Sequence, residues 1–398
     1  MQLQGQNSGM NCSTAWLALQ TLEGGIELTH TPADQADRLA AQLSADLREW
    51  GLQSAIQTLN VPLEDGTVAL VASLRPEFQQ THMPGFNSLN LRTSLGPANT
   101  ADHSNGAWAL EREIWVALLG SPHRFAFRDL EALKSHVRVR RNMALAARLT
   151  ALAFKTEAAE RPEADWHYEE EPGFILKPGR PLINALIAAT QPEATGKLYD
   201  FSCYRATEYV ILLGIAQELQ AHHPALLAQL QQLNERHAVR SGQFHEVFLI
   251  EYGSMEDPLP ARFYVPGDRL WFRNPDERSA DVTGYEGSWV MYMGGGLFSN
   301  FWKRDAPFTL ESKAIEIFHW KDGVYTDAQG ELQMDETVVE RLVAQTQADP
   351  EARARVLERM LRMRDPKGVY AQGGCIDTTR EYPKSVSREH CDLVLPAF

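Results

Sequence analysis

Between Tyr199 and Met293 the hydrophobic period of the chain changes once, and that change limits the folds open to it. The stretch Tyr199–Gly214, YDFSCYRATEYVILLG, ends a polar, turn-prone run and starts an apolar pattern at helical spacing that reaches about His222. After it the period shortens. Glu246–Tyr252 (EVFLIEY), Arg262–Val265, Arg269–Arg273 and Trp289–Met293 are short, rich in β-branched and aromatic residues, and separated by Pro266-Gly267-Asp268 and Asn274-Pro275-Asp276. The pattern predicts a long helix headed by Cys203, then strands of a largely antiparallel sheet. Ala314–Trp320 (AIEIFHW) reads as a further strand.

Upstream, Asp34–Trp50 has strong helical spacing and Thr67–Leu74 is strand-like, an α+β mixture without a chemical motif. Pro97–Gly106 (PANTADHSNG) is the expected linker. Ala107–Leu119 is apolar, and Asp129–Phe154 reads as a long amphipathic helix capped by Asp129. Glu157–Pro172 is expected to be an exposed loop, and Pro181–Thr190 a short helix. The tail from Glu336 to Arg364 has helical spacing, and the last thirty residues read as irregular. Three parts follow: an extension over 1–105, a core over 106–330 and a tail over 331–398. In papain-like folds a cysteine heads a helix packed on an antiparallel sheet, and this α+β order fits that layout.

The formal net charge of −14 argues against sequence-independent binding to nucleic acid or anionic membrane. The basic run His136–Arg141 is expected to be a solvated helix face. The N-terminal residues lack a signal-peptide pattern, and no window is long and apolar enough to span a bilayer. The four cysteines, Cys12, Cys203, Cys375 and Cys391, are too few for a disulfide framework and too scattered for a zinc motif. They fit reduced thiols of a cytoplasmic protein, with no metal or cofactor called for.

A thiol reacts as thiolate, and a helix N-terminus favours that charge, so Cys203 is either a nucleophile or a packed helix-start residue. A nucleophile needs a proton partner. Among the histidines His245 and His319 flank expected strands, and His222–His223 read as a helix end. Among the carboxylates Glu208, Glu246, Glu251 and Glu286, the last stands out in Thr283–Val290 (TGYEGSWV), a glycine-flanked turn into an apolar strand. No G-x-S-x-G elbow, P-loop, H-E-x-x-H or dinucleotide fingerprint competes, and Gly294-Gly295-Gly296 suits a tight turn or a close approach of a bound chain.

Tyr199–Gly214, Arg269–Pro275 (RLWFRNP) and Gly284–Gly294 (GYEGSWVMYMG), in this order and spacing, resemble the compact bacterial, spore-associated protein-glutamine gamma-glutamyltransferases. The likeness covers roughly 120–325. It implies a papain-like core and transfer of glutamine γ-glutamyl groups to lysine amines through a cysteine thioester, in the cytoplasm or on an assembled spore structure. Carried over by position, Cys203 falls on the nucleophile and Glu286 on the catalytic glutamate. Ser288 takes that place if the alignment shifts ahead of Val290. Ser202 stands where the family has a glutamate, and Asn300 where it has a histidine, which keeps His245 and Glu246 in view as bases. Tyr285, Trp289, Phe298, Phe301 and Trp302 would enclose the site and bind substrate. The alternatives are a cysteine amidase, peptidase or glutamine deamidase on the same scaffold, or an interaction protein without catalysis. The sequence leaves the oligomeric state open.

Overall fold

The computed structural model describes residues 24–94, 106–153, 159–170, 173–238, 241–365 and 373–396. Apart from Gly106, the expected linker lies outside them, as does Cys12. Strands β1 (Gly25–Pro32), β2 (Ile56–Pro62), β3 (Thr67–Leu74) and β4 (Arg124–Phe127) form a sheet ordered β2-β3-β1-β4. The β4 strand runs parallel to β1 and the other pairs are antiparallel, so the N-terminal strands and the central part of the chain share one sheet. Helices α1 (Ala36–Asp46), α2 (Gly106–Leu119) and α3 (Leu130–Leu149) cover it, with Leu43, Ile114, Leu118, Leu133 and Val137 in one apolar cluster with Ile26 and Leu70. Asp129 caps α3 as expected, its Oδ1 accepting from Ala132 N at 2.7 Å.

A small hairpin, β5 (Trp166–Glu169) with β6 (Gly173–Leu176), has its first strand inside the segment expected to be loop and its second just beyond it. The Trp166 indole donates to Ala185 O at 3.1 Å, tying the hairpin to α4 (Leu182–Thr190). Next comes α5 (Cys203–His222), with the expected boundaries. It is buried on nearly all faces, from Ala206 to Leu219, as befits a central helix. It crosses α3 closely at Gly214, where an added Cβ would lie 2.5 Å from Met143 Cγ.

Helices α6 (Pro224–Asn234) and α7 (Ser241–Phe248) lead to β7 (Leu249–Tyr252), β8 (Arg269–Arg273) and β9 (Gly287–Met291). Helix α8 (Leu310–Gly323), the hairpin β10 (Val324–Thr326) with β11 (Leu332–Met334), and helices α9 (Glu336–Ala348) and α10 (Pro350–Met360) follow. A last strand, β12 (Arg380–Pro383), inserts between β7 and β8, giving an antiparallel sheet ordered β7-β12-β8-β9. The fold is mixed α+β, with Cys203 at the start of a helix packed on β9 of this sheet. Among the described residues no helix is long and apolar enough to cross a membrane.

Several expectations fail for local reasons. Glu246–Tyr252 is a strand only from Leu249, because Phe244, Val247 and Phe248 bury one helical face of α7. Arg262–Val265 is irregular: Ser88 Oγ accepts from Tyr264 N at 2.8 Å and donates to Tyr264 O at 2.7 Å, so a side chain replaces the strand partner. Ala314–Trp320 is helix, started by a capping box in which Ser312 N donates to Thr309 Oγ1 at 3.1 Å. The last thirty residues, where described, are irregular as expected apart from β12.

The basic run of α3 is not a solvated face. Arg140 is fully buried, donating to Asp268 Oδ1 at 2.7 Å and to His136 Nε2 at 2.6 Å. Burial, then Arg140, push His136 well below its ordinary pKa, leaving the neutral ring that this bond requires. Asp268 also accepts from Tyr252 OH at 2.6 Å and Val265 N at 2.7 Å, which fastens α3 to the loop ahead of β8. Breaking such a buried pair from one side costs about 3–5 kcal/mol.

Candidate active site

Ser202 caps α5, its Oγ accepting from Arg205 N at 3.3 Å, and Cys203 is the first helical residue. The backbone N–H groups of Trp289 and Tyr204 donate toward the sulfur and stabilise its thiolate, as does the Lys313 ammonium. Burial outweighs them and pushes the thiol pKa up, with Glu286 adding a smaller push in the same direction. Strand β9 brings Trp289 to the helix start. Its ring meets Tyr204 edge-on at 5.1 Å, stacks on Trp271 at 6.0 Å, and lies 4.9 Å beneath the Arg269 guanidinium. Arg269 pairs with Glu381 of β12, which also accepts from His245 at 2.7 Å, so the tail strand braces the wall behind Cys203.

Cys203 opens into a cavity of about 80 Å³, room for a small group but not for a folded chain. Its walls are apolar and aromatic (Trp289, Phe301, Trp302, Phe308, Trp320), with Ser288 and Asn300 among the polar residues and Lys313, Glu316 and Glu336 the charged ones. Tyr285, Trp302, Phe308, Glu316, Trp320 and Glu336 also wall a neighbouring cavity of about 440 Å³, closed on its far side by Glu340, Val343 and Gln347 of α9. Tyr285 OH donates to Glu336 Oε1 at 2.7 Å across this boundary.

The sequence matches the model of the protein-glutamine gamma-glutamyltransferases over residues 92–372, most of the chain. The chain belongs to that family. Its enzymes are acyltransferases acting on glutamine and lysine side chains of proteins, and a cysteine nucleophile is typical of them. Among solved structures the transglutaminase from Geobacillus stearothermophilus, without its C-terminal extension, is similar at 17% identity and a TM-score of 0.37, covering 54% of this chain and 97% of that one. Among curated proteins there is no match.

The residues singled out from sequence divide around this cavity. Cys203, Tyr285, Trp289, Asn300, Phe301 and Trp302 line it. Asn300 has its amide committed to a turn, Nδ2 donating to Ala306 O at 3.0 Å and Oδ1 accepting from Lys303 N at 3.2 Å. Phe298 is not at the cavity; it is fully buried against Tyr264, Tyr292 and Phe272. Glu286 is exposed, accepts from Gly284 N at 3.3 Å, and is absent from the cavity wall, where Ser288 stands instead. Glu286 lies in the turn ahead of β9, whereas Ser288 is in the strand, paired with Phe272.

Neither His245 nor Glu246 lines the cavity. His319 links α8 to α9, bonding Asp322 at 2.8 Å and Thr346 at 2.7 Å. The triglycine makes a tight turn: all three have positive φ, and Gly295 N donates to the buried Glu113 at 2.9 Å. Sequence reasoning missed Lys313, Glu316 and Glu336. Read as helix, Leu310–Gly323 puts Lys313, Glu316 and Trp320 on one face, which was the available signal. Of His, Cys and acidic residues, the described chain offers one group of metal-binding geometry, Asp129, Glu389 and His390. It lies outside the cavity wall, and Asp129 there already caps α3 and bonds His390 at 2.9 Å.

Proposed function

We propose that this chain transfers the γ-glutamyl group of a protein glutamine to a primary amine, with Cys203 as nucleophile. The observation that carries the reading is a thiol at the N-terminus of a buried helix, facing a narrow aromatic cavity and two backbone N–H donors. The thiolate adds to the carboxamide carbon, ammonia leaves, and the resulting thioester is attacked by a lysine amine to give an isopeptide bond. Donors beside the sulfur suit the developing oxyanion, and aromatic walls limit attack by water. Trp289, Tyr285 and Trp302 would hold the glutamine side chain. The larger cavity suits the acceptor: Glu316, Glu336 and Glu340 outnumber its single lysine, Lys303, and a cationic side chain is drawn to such a mouth. The described cysteines are free, in keeping with action in a reducing compartment such as the cytoplasm.

Incorporation of a fluorescent alkylamine into a glutamine-rich protein tests this. Labelling by the parent chain that disappears in Cys203→Ala is the expected result. Ammonia release without labelling would favour a deamidase or amidase on the same centre, which Ser288 and Asn300 in place of stronger acids or bases make a defined second reading. No Cys203-dependent activity would contradict both.

A further inference from the structure

Three charged side chains line the cavity that Cys203 opens into, and two of them are paired. The Lys313 side chain is 4% exposed, and Nζ donates to Glu316 Oε1 at 2.9 Å. The ammonium lies 4.1 Å from the centroid of Phe308 and 5.3 Å from that of Trp320. Burying an ammonium among aromatic rings is costly even when it is paired, and a Leu or Met would anchor α8 without that cost. Yet the charge stands in the wall of the cavity that holds the thiol.

We propose that Lys313 is the proton-transfer group of the Cys203 centre, its ammonium holding the thiolate and then protonating departing ammonia, while Glu316 orients the amine. This rests on the acyl-transfer reading and adds to it the group that moves the proton. The reacting form of the pair is Cys203 S⁻ and Lys313 NH₃⁺, reached once the thiol has given its proton to solvent. The thiolate adds to the carboxamide carbon, forming the C–S bond and moving the carbonyl π pair onto oxygen. As the carbonyl re-forms, the C–N bond breaks and the nitrogen takes a proton from Lys313, leaving as NH₃. Lys313 is now a neutral amine. A neutral acceptor amine adds to the thioester and gives its surplus proton to Lys313. The C–S bond breaks, restoring thiolate and ammonium, so charge and protons balance over the cycle.

The groups facing this pair are few. Glu316 belongs to the same helix, Glu336 comes from α9, and Glu286 acts from the turn before β9. Cys375, in the tail, is also within electrostatic reach of Lys313 but is buried and pushed up to about 12, so it stays a thiol. Burial and Glu286 disfavour the Cys203 thiolate, and the Lys313 charge opposes them.

The test is the pH dependence of Cys203 alkylation by iodoacetamide in the full chain, read on the Cys203 peptide by mass spectrometry, alongside amine incorporation. Lys313→Met should raise the alkylation midpoint by about one pH unit or more, slowing alkylation about tenfold at neutral pH. Lys313→Arg should hold the midpoint close to the parent's yet lose incorporation about a hundredfold, since a guanidinium keeps its proton. Glu316→Gln, which preserves volume, should lower the midpoint, and it decides the matter if both lysine variants unfold. A Lys313→Met profile superimposed on the parent's, an active Lys313→Arg, or an unmoved midpoint in Glu316→Gln would overturn the proposal in a parent that transfers amine. A parent without Cys203-dependent incorporation would sink the transfer reading, and this role with it, whatever the midpoints.

Discussion

At the scale of residues, Cys203 was legible because its signal is local: a polar cap, a cysteine and an apolar helix follow one another in the chain. Lys313 was not, because its role depends on a neighbour 110 positions away in sequence and on α8 being a helix. Glu286, also beside a glycine, is exposed and outside the cavity wall, yet its charge disfavours the Cys203 thiolate. Five residues beyond Cys203, Glu208 is 1% exposed, with Arg205 on Oε2 at 2.7 Å and no hydrogen-bond partner on Oε1 among the described residues. Burial pushes its pKa from 4.5 up to about 7, against the pull of Arg205 and Arg269. A raised carboxyl pKa means the folded chain binds the proton more tightly, so this contribution to stability is full below about pH 4.5 and is lost as pH rises through 7. The difference is on the order of 3 kcal/mol. Glu208→Gln should therefore flatten the fall in melting temperature between pH 5 and 8. Parallel curves for parent and variant would contradict the assignment.

At the scale of elements, period and caps located α3, α4, α5, β3 and β8 well, since each carries its own apolar stripe and stop signals. They failed where partners are remote. The α8 segment has Ile315 and Ile317 two apart, which imitates strand alternation, and only the Thr309–Ser312 capping box and burial on several faces make it a helix. The β12 strand is four residues long and is held by β7 and β8 on its two sides, so nothing local marks it. The close crossing of α3 and α5 gives a sharp test. Gly214→Ala gains about 1 kcal/mol in helix propensity, but its Cβ would sit 2.5 Å from Met143 Cγ and 2.9 Å from Met143 N. Overpacking of this kind costs about 1–3 kcal/mol, so a net loss is expected in denaturant titration. Pairing it with Met143→Ala should return part of that loss, since the two sites touch. A stabilised Gly214→Ala would show that the helices part easily.

At the scale of the whole molecule, the extensions read from sequence as separate parts are structural members of one body. The first strands complete a sheet with β4, Ser88 holds the backbone of Tyr264, and the tail supplies β12 and the Glu381 that pairs with Arg269 behind Trp289. A chain starting at Gly106, or one ending at Asp365, should lose cooperative thermal unfolding, because each leaves strands unpaired and core apolar faces exposed. Melting at the parent temperature in either would contradict this integration. What the molecule as a whole builds is a place where a thiol, an aromatic cavity and an acid-lined mouth meet. The most direct test is intact-mass measurement of the chain after mixing with a short glutamine peptide and no acceptor amine. The account expects a species heavier by the peptide less ammonia, carried on Cys203, absent in Cys203→Ala and discharged by added alkylamine. A parent chain of unchanged mass, or an adduct that survives Cys203→Ala, would contradict it.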